Sequence, residues 1–244
     1  MKKIYSCIIL FSLLTGCSAD DNQVGADNEI SDNPTGPILA RNANELPFNN
    51  HNGYDAAGAL YHEILESYGS INPTPVGEAA ILATVERIAD SSSTFNAFKG
   101  NDYGYLTEGV ILSITADPVQ SISDIIDGTD MSTAAKTSLA QFLDGLSIIC
   151  KSDKDHDSIY NHIVEYEAEV LNEPLFDSSE KAIILTTASI ARYAVYNRKR
   201  KPKKNTDPDW DWMILSIAAG TEGIAVYSPG NAVTLAATIT ALQD

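Results

Sequence analysis

Asp177-Ser178-Ser179-Glu180, running into Lys181 to Arg198 with its blocks Ala182-Ile183-Ile184-Leu185 and Ala188-Ser189-Ile190-Ala191, decides the fold of this 244-residue chain. An acceptor side chain at 177 with a glutamate three residues later is a capping box, so a helix opens here. Its apolar residues fall on most sides instead of along one stripe. A helix of that kind belongs at the centre of a bundle, with other helices enclosing it.

The flanking segments supply the enclosing helices. Tyr54 to Tyr68 carries Leu60, Ile64 and Tyr68 at spacing four, with Ala57 and Tyr61 beside them. Asn72-Pro73-Thr74-Pro75 ends that helix. Thr74 with Pro75 at the first helical position predicts the start of the next, which places Ile81, Val85 and Ile88 on one face. Residues 102–115 hold Tyr103, Tyr105, Val110, Ile111, Leu112 and Ile114, a pattern open to strand or buried helix; the helical surroundings favour helix. Asp117-Pro118 opens a segment with Ile122, Ile125 and Ile126. Leu139, Phe142, Leu143, Leu146, Ile149 and Cys150 form one stripe, and Ile159, Ile163, Tyr166 and Val170 another. Trp210 and Trp212 precede the apolar run Met213 to Tyr227, and Ser228-Pro229 restarts a last helix, Gly230 to Leu242. No Asn-Gly or Asp-Gly hairpin lies between alternating strands. The expected fold is all-α, a single bundle of about seven or eight helices over residues 48–244.

The N-terminus reads differently. Met1-Lys2-Lys3 is a short cationic region and Ile4 to Leu14 an apolar one. Such a stretch rises only about 16 Å as a helix, roughly half a bilayer core, so it reads as a signal peptide (residues 1–16) and not a membrane span. Leu14-Thr15-Gly16-Cys17 resembles the lipobox of bacterial lipoproteins, in which the cysteine is acylated and becomes the mature N-terminus. The resemblance implies lipid on Cys17 and a membrane as first partner. Residues 17–47 carry scattered aliphatics among Asp, Asn, Gly and Pro without period, a composition that does not offset its ordering entropy. They read as a flexible acidic tether, with a span of about 30 Å. Asp20-Asp21 is similar to the signal that exports some Bacteroidota-type lipoproteins to the outer face of the outer membrane, which implies a surface-exposed, lipid-anchored location.

The whole chain has 16 Lys and Arg against 33 Asp and Glu; without Lys2 and Lys3 the mature form keeps 14 cations and a charge of −19. That balance argues against nucleic-acid binding, which depends on neutralising phosphates. Cys7 leaves with the signal and Cys17 takes lipid, so Cys150 stands alone at the end of Leu146-Ser147-Ile148-Ile149 and reads as a small buried hydrophobe.

Three further pieces share an order: His51-Asn52-Gly53-Tyr54-Asp55-Ala56-Ala57-Gly58 continuing to Tyr61-His62-Glu63-Ile64-Leu65; Ala188-Ser189-Ile190-Ala191-Arg192-Tyr193; and Asp209-Trp210-Asp211-Trp212 leading to Ala218-Ala219-Gly220-Thr221-Glu222-Gly223. Together they resemble a group of uncharacterised bacterial lipoproteins. In that group an early helix reads N-P-Y-D-x-x-G-x-x-H-N-E-x-L and a late one S-I-A-R-Y-S. Here Tyr61-His62-Glu63 stands for His-Asn-Glu and Ala194 for the last serine. The resemblance implies a shared helical fold and no particular activity.

Two chemical candidates follow. His62-Glu63-Ile64-Leu65-Glu66 is similar to the zincin H-E-x-x-H helix, with Glu66 in place of the second histidine. His62 and Glu66 would be ligands and Glu63 the general base of a metal-dependent hydrolase, with His162, beside Glu165 or Glu169, as the partner from a facing helix. The second candidate is Arg198, Lys199, Arg200, Lys201, Lys203 and Lys204, six cations in seven positions around Pro202. One or two suffice to complement a helix C-terminus. The excess suits an anionic glycan, lipid or protein. Asp153, Asp155 and Asp157 alternate as in a calcium loop but lack its glycine and terminal glutamate, and read as an acidic helix cap. Trp210 and Trp212 are placed at a helix start. No P-loop, G-x-S-x-G elbow or dinucleotide fingerprint occurs, so no cofactor is expected. The combined expectation is a cell-envelope lipoprotein acting as a non-catalytic binding module, with the metal hydrolase as the alternative.

Overall fold

The computed structural model describes residues 46–152, 155–200 and 209–243. They form ten α-helices and one π-helical turn, with no strand among the described residues. The expected all-α bundle is therefore present, with more helices than periodicity alone suggested. In order they are α1 (Ala56–Gly69), α2 (Glu78–Ser91), α3 (Ser93–Phe98), α4 (Glu108–Thr115), α5 (Pro118–Gly128), α6 (Thr133–Lys151), α7 (His156–Asn172), α8 (Ser178–Arg200), α9 (Asp209–Glu222), the π-turn Gly223–Tyr227, and α10 (Pro229–Ala241).

The caps explain most of the boundaries. Asp177 Oδ1 accepts from the Glu180 N–H at 2.9 Å while Glu180 Oε2 accepts from the Asp177 N–H at 2.9 Å, the reciprocal capping box. Asp117, Asp155 and Ser228 accept from the third residue of the helices they open, at Gln120, Ser158 and Asn231. Two boundaries differ from the sequence reading. Pro75 lies outside α2, which starts after Gly77 at φ +89°, a backbone conformation that glycine adopts without strain. Residues 103–107 are not helical, so Tyr103 and Tyr105 belong to a loop ahead of α4. Their side chains divide accordingly: Tyr103 packs edge-on against Phe95 at 5.3 Å, and Tyr105 is exposed.

Three long helices make the centre. Every residue of α8 from Ile183 to Tyr196 is buried, as its all-round apolar pattern required. From Gly230 to Ile239, α10 is equally enclosed. Its threonines are satisfied within the helix, Thr238 Oγ1 donating to the Thr234 carbonyl at 2.8 Å and Thr240 Oγ1 to the Ala236 carbonyl at 3.0 Å. α9 packs on α5, α8 and α10, and α1 closes over α8 and α10. The last two helices thus belong to the core. Trp210 and Trp212 pack against that core from the first turn of α9, and Cys150 is buried on α6, where desolvation pushes its thiol up to about 12. No described helix is long and apolar enough to cross a membrane.

Candidate functional site

The two segments singled out by motif, 51–58 and 188–193, meet. α1 and α8 run parallel, because Gly58 faces Ser189 while His62, one turn on, faces Asn197. Gly58 is required at this crossing. A Cβ there would lie 2.4 Å from Tyr193 Cδ2 and 2.5 Å from the Ser189 carbonyl oxygen. Ser189 Oγ bridges the helices, accepting from the Gly58 N–H at 3.0 Å and donating to the Asp55 carbonyl at 3.0 Å.

Below this crossing Arg192 is enclosed, 1 % exposed. Its Nε–H donates to Glu167 Oε1 at 3.0 Å, one terminal nitrogen donates to the Pro47 carbonyl, and the other to Asp55 Oδ1. Glu167 on α7 is fully buried and receives two more donors, Asn49 Nδ2 on Oε2 at 2.7 Å and Asn52 Nδ2 on Oε1 at 2.6 Å. Asn52 also donates to the Leu185 carbonyl at 2.9 Å, and its Oδ1 accepts from the Tyr54 N–H at 2.8 Å. Burial opposes the Arg192 charge, but Glu167 and then Asp55 outweigh it and hold the guanidinium above its ordinary pKa. Residues 46–55 therefore lie across α7 and α8 as a strap, held also by Tyr160 Oη donating to the Phe48 carbonyl at 2.9 Å and by Phe48 edge-on to Tyr193 at 6.2 Å.

Chemically this cluster is a clasp. Both Glu167 oxygens and all three Arg192 nitrogens are engaged by the chain's own groups, so the pair does not present a base or an anion receptor to solvent. Glu167 is absent from the candidate residues of the sequence reading, whereas Glu165 and Glu169, named there beside His162, are both exposed. A signal existed: Glu167 follows Ile163 by four and precedes Val170 by three, which puts a carboxylate on the buried stripe of α7.

The proposed metal set is not assembled. His62 is directed at α8, its Nδ1 2.6 Å from Asn197 Oδ1 and its ring between Tyr193 at 6.0 Å and Tyr196 at 5.6 Å. Glu63 and Glu66 are exposed. His162 is directed at α6, stacked on Phe142 at 6.1 Å with Nε2 3.5 Å from where a Cβ on Gly145 would stand. No group of three His, Cys, Asp or Glu that could hold a metal occurs among the described residues. The physical reason is that α1 and α7 each turn their histidine toward a different neighbour.

Of the basic segment, Arg198 donates to Gln243 Oε1 at 2.7 Å, joining the ends of α8 and α10. Lys199 and Arg200 occupy the last turn of α8. Lys201, Lys203 and Lys204 lie outside the described residues, as do Cys17 and the tether up to residue 45. No family model, no curated protein and no solved structure matches the chain.

Proposed function

We propose that this chain is a cell-envelope lipoprotein, held in the outer membrane by lipid on Cys17, whose helical domain acts as a binding module. The observation that carries this reading is the order of parts. A cationic, apolar leader ending in Leu14-Thr15-Gly16-Cys17 is followed by a polar acidic stretch, and the helices of the bundle follow from Ala56 onward. The membrane contact is assigned to the lipid, and no described helix competes for that role. The buried cluster of Arg192 with Glu167 and Asp55 is engaged by the chain's own groups and takes no part in this proposed role.

Metabolic labelling with a fatty-acid analogue tests it. The wild-type chain takes label and fractionates with outer membranes, and externally added protease removes the domain from intact cells. Cys17→Ser takes no label and is recovered in soluble fractions. A labelled Cys17→Ser chain would overturn the assignment of the anchor, and a domain that intact cells protect from protease would overturn surface display.

A further inference from the structure

The far end of α9 carries a feature that the clasp does not use. Ser228 N–H donates to the Gly223 carbonyl at 2.9 Å, an i to i+5 bond, and residues 223–227 widen into a π-turn. Gly223 is pinned against α10, since a Cβ there would lie 2.4 Å from Ala232 Cα. With that side fixed, the extra residue of the turn is accommodated outward, and Val226 and Tyr227 stand 53 % and 40 % exposed. Glu222 precedes them by four and five residues, so it lies one widened turn beneath both. Its side chain is half-buried and has no partner among the described residues; burial alone pushes its carboxyl up.

The adjoining loop does not supply the missing charge. Residues 99–104 abut 228–231, with the Gly230 N–H donating to the Lys99 carbonyl at 3.1 Å and Asn231 Nδ2 to the Gly104 carbonyl at 2.8 Å. Lys99 is already engaged by Asp90 Oδ1 at 3.4 Å and lies 5.0 Å over the Tyr103 ring. Tyr105, 70 % exposed, is fixed by its hydroxyl donating to Asp90 Oδ2 at 2.7 Å.

We propose that Glu222 with Val226 and Tyr227, next to the 99–104 loop that abuts residues 228–231, is a docking surface for a protein segment that presents a lysine or arginine between apolar side chains. This rests on the binding-module reading and names its partner. A desolvated carboxylate gains most from a full opposing charge brought in under cover, and Val226 and Tyr227 provide the apolar cover around it. The acidic balance of the chain adds long-range attraction for the same partner.

The test is selection of random ten-residue peptides on the purified full-length chain, in parallel with its Glu222→Gln and Val226→Ser variants and with Ile148→Ser as an exposed control elsewhere. Enriched sequences are expected to carry Lys or Arg next to aliphatic or aromatic residues. Their binding is expected to fall at least about tenfold in Glu222→Gln and in Val226→Ser, with no change in Ile148→Ser. Val226 is exposed, so its substitution reports on the surface independently of the change in stability expected for Glu222→Gln. No enrichment, enrichment of sequences without a cation, or equal binding by wild type and Glu222→Gln overturns the proposal. So does self-association through this surface. An unlabelled Cys17 would remove the anchor and leave this binding measurement standing.

Discussion

Glu167 on α7 and Arg192 on α8 are both sealed from solvent and joined by an Nε–H to Oε1 hydrogen bond of 3.0 Å. Every neighbour of Glu167 in this contact is a donor, and two of them, Asn49 and Asn52, come from the strap ahead of α1. The pair therefore fixes where the N-terminal segment enters the bundle. A buried ion pair is not by itself a source of large net stability, because both charges lose hydration. Its removal by halves is costly for the same reason.

Glu167→Gln leaves Arg192 with Asp55 as its countercharge in place of two carboxylates and turns an amide NH2 toward donors. Arg192→Met leaves Glu167 as an uncompensated buried charge. Each is expected to cost about 3–5 kcal/mol, read as a shift in the urea midpoint. The double substitution Glu167→Gln with Arg192→Met is expected to cost less than the sum of the two, because neither charge is then stranded. Additive losses would show that the two side chains act separately.

Two glycines on helices are expected to respond in opposite directions to alanine. At Gly58 the new Cβ meets Ser189 backbone at 2.5 Å, so α1 must move away from α8. A loss of about 1–3 kcal/mol follows from overpacking, and the Ser189 bridge weakens with it. At Gly145 the new Cβ meets only the end of the His162 ring at 3.5 Å, ordinary contact. Removing a glycine from the interior of α6 is then expected to gain about 0.5–1 kcal/mol. Thermal melts of the two variants decide it.

Local features were legible in the sequence, and long-range ones were not. Asp117-Pro118, Ser228-Pro229 and the Asp177/Glu180 box mark helix starts because their side chains reach only three residues ahead. Thr74-Pro75 misled because the same chemistry also suits a turn, and Gly77 provides the actual entry to α2. The Tyr103/Tyr105 segment was divided by its surroundings: Tyr103 found Phe95, and the helix waited until Glu108. His62 and His162 looked like partners by residue type, yet pairing depends on the helix each one faces, which spacing within a helix does not carry. The meeting of Asp55 with Arg192 spans 137 positions and needed the parallel packing of α1 and α8.

The capping box is expected to act at two places. Besides the Asp177 N–H, Glu180 accepts the Ser132 N–H at 2.6 Å, so one carboxylate holds the start of α8 and the residue that caps α6. Glu180→Ala is expected to destabilise by about 1–2 kcal/mol, as for loss of a cap. Faster amide exchange is expected in the first turns of both α6 and α8. Exchange changed in α8 alone would mean that the bond to Ser132 contributes nothing.

Glu86 and Glu180 are expected to shape stability against pH in opposite senses. Burial, reinforced by Asp90, raises the Glu86 carboxyl above the ordinary 4.5, with the Leu106 N–H offsetting part of the rise. Between 4.5 and its folded value the native state holds more protons than the unfolded chain, so this group makes stability fall as pH rises. Glu180 is lowered, first by the Ser132 N–H and then by the Ser132 side chain and the Asp177 N–H. Its contribution is present above 4.5 and is lost as pH falls through its folded value. Urea unfolding across acid to neutral pH separates them. Glu86→Gln is expected to raise stability at neutral pH relative to acid and flatten the upper part of the curve, and Glu180→Gln to flatten the acid limb below 4.5. Glu222→Gln is expected to act in the same sense as Glu86→Gln, since burial raises that carboxyl too. If Glu86→Gln left the slope above 4.5 unchanged, the buried position of Glu86 between Leu106 and Asp90 would not govern its titration.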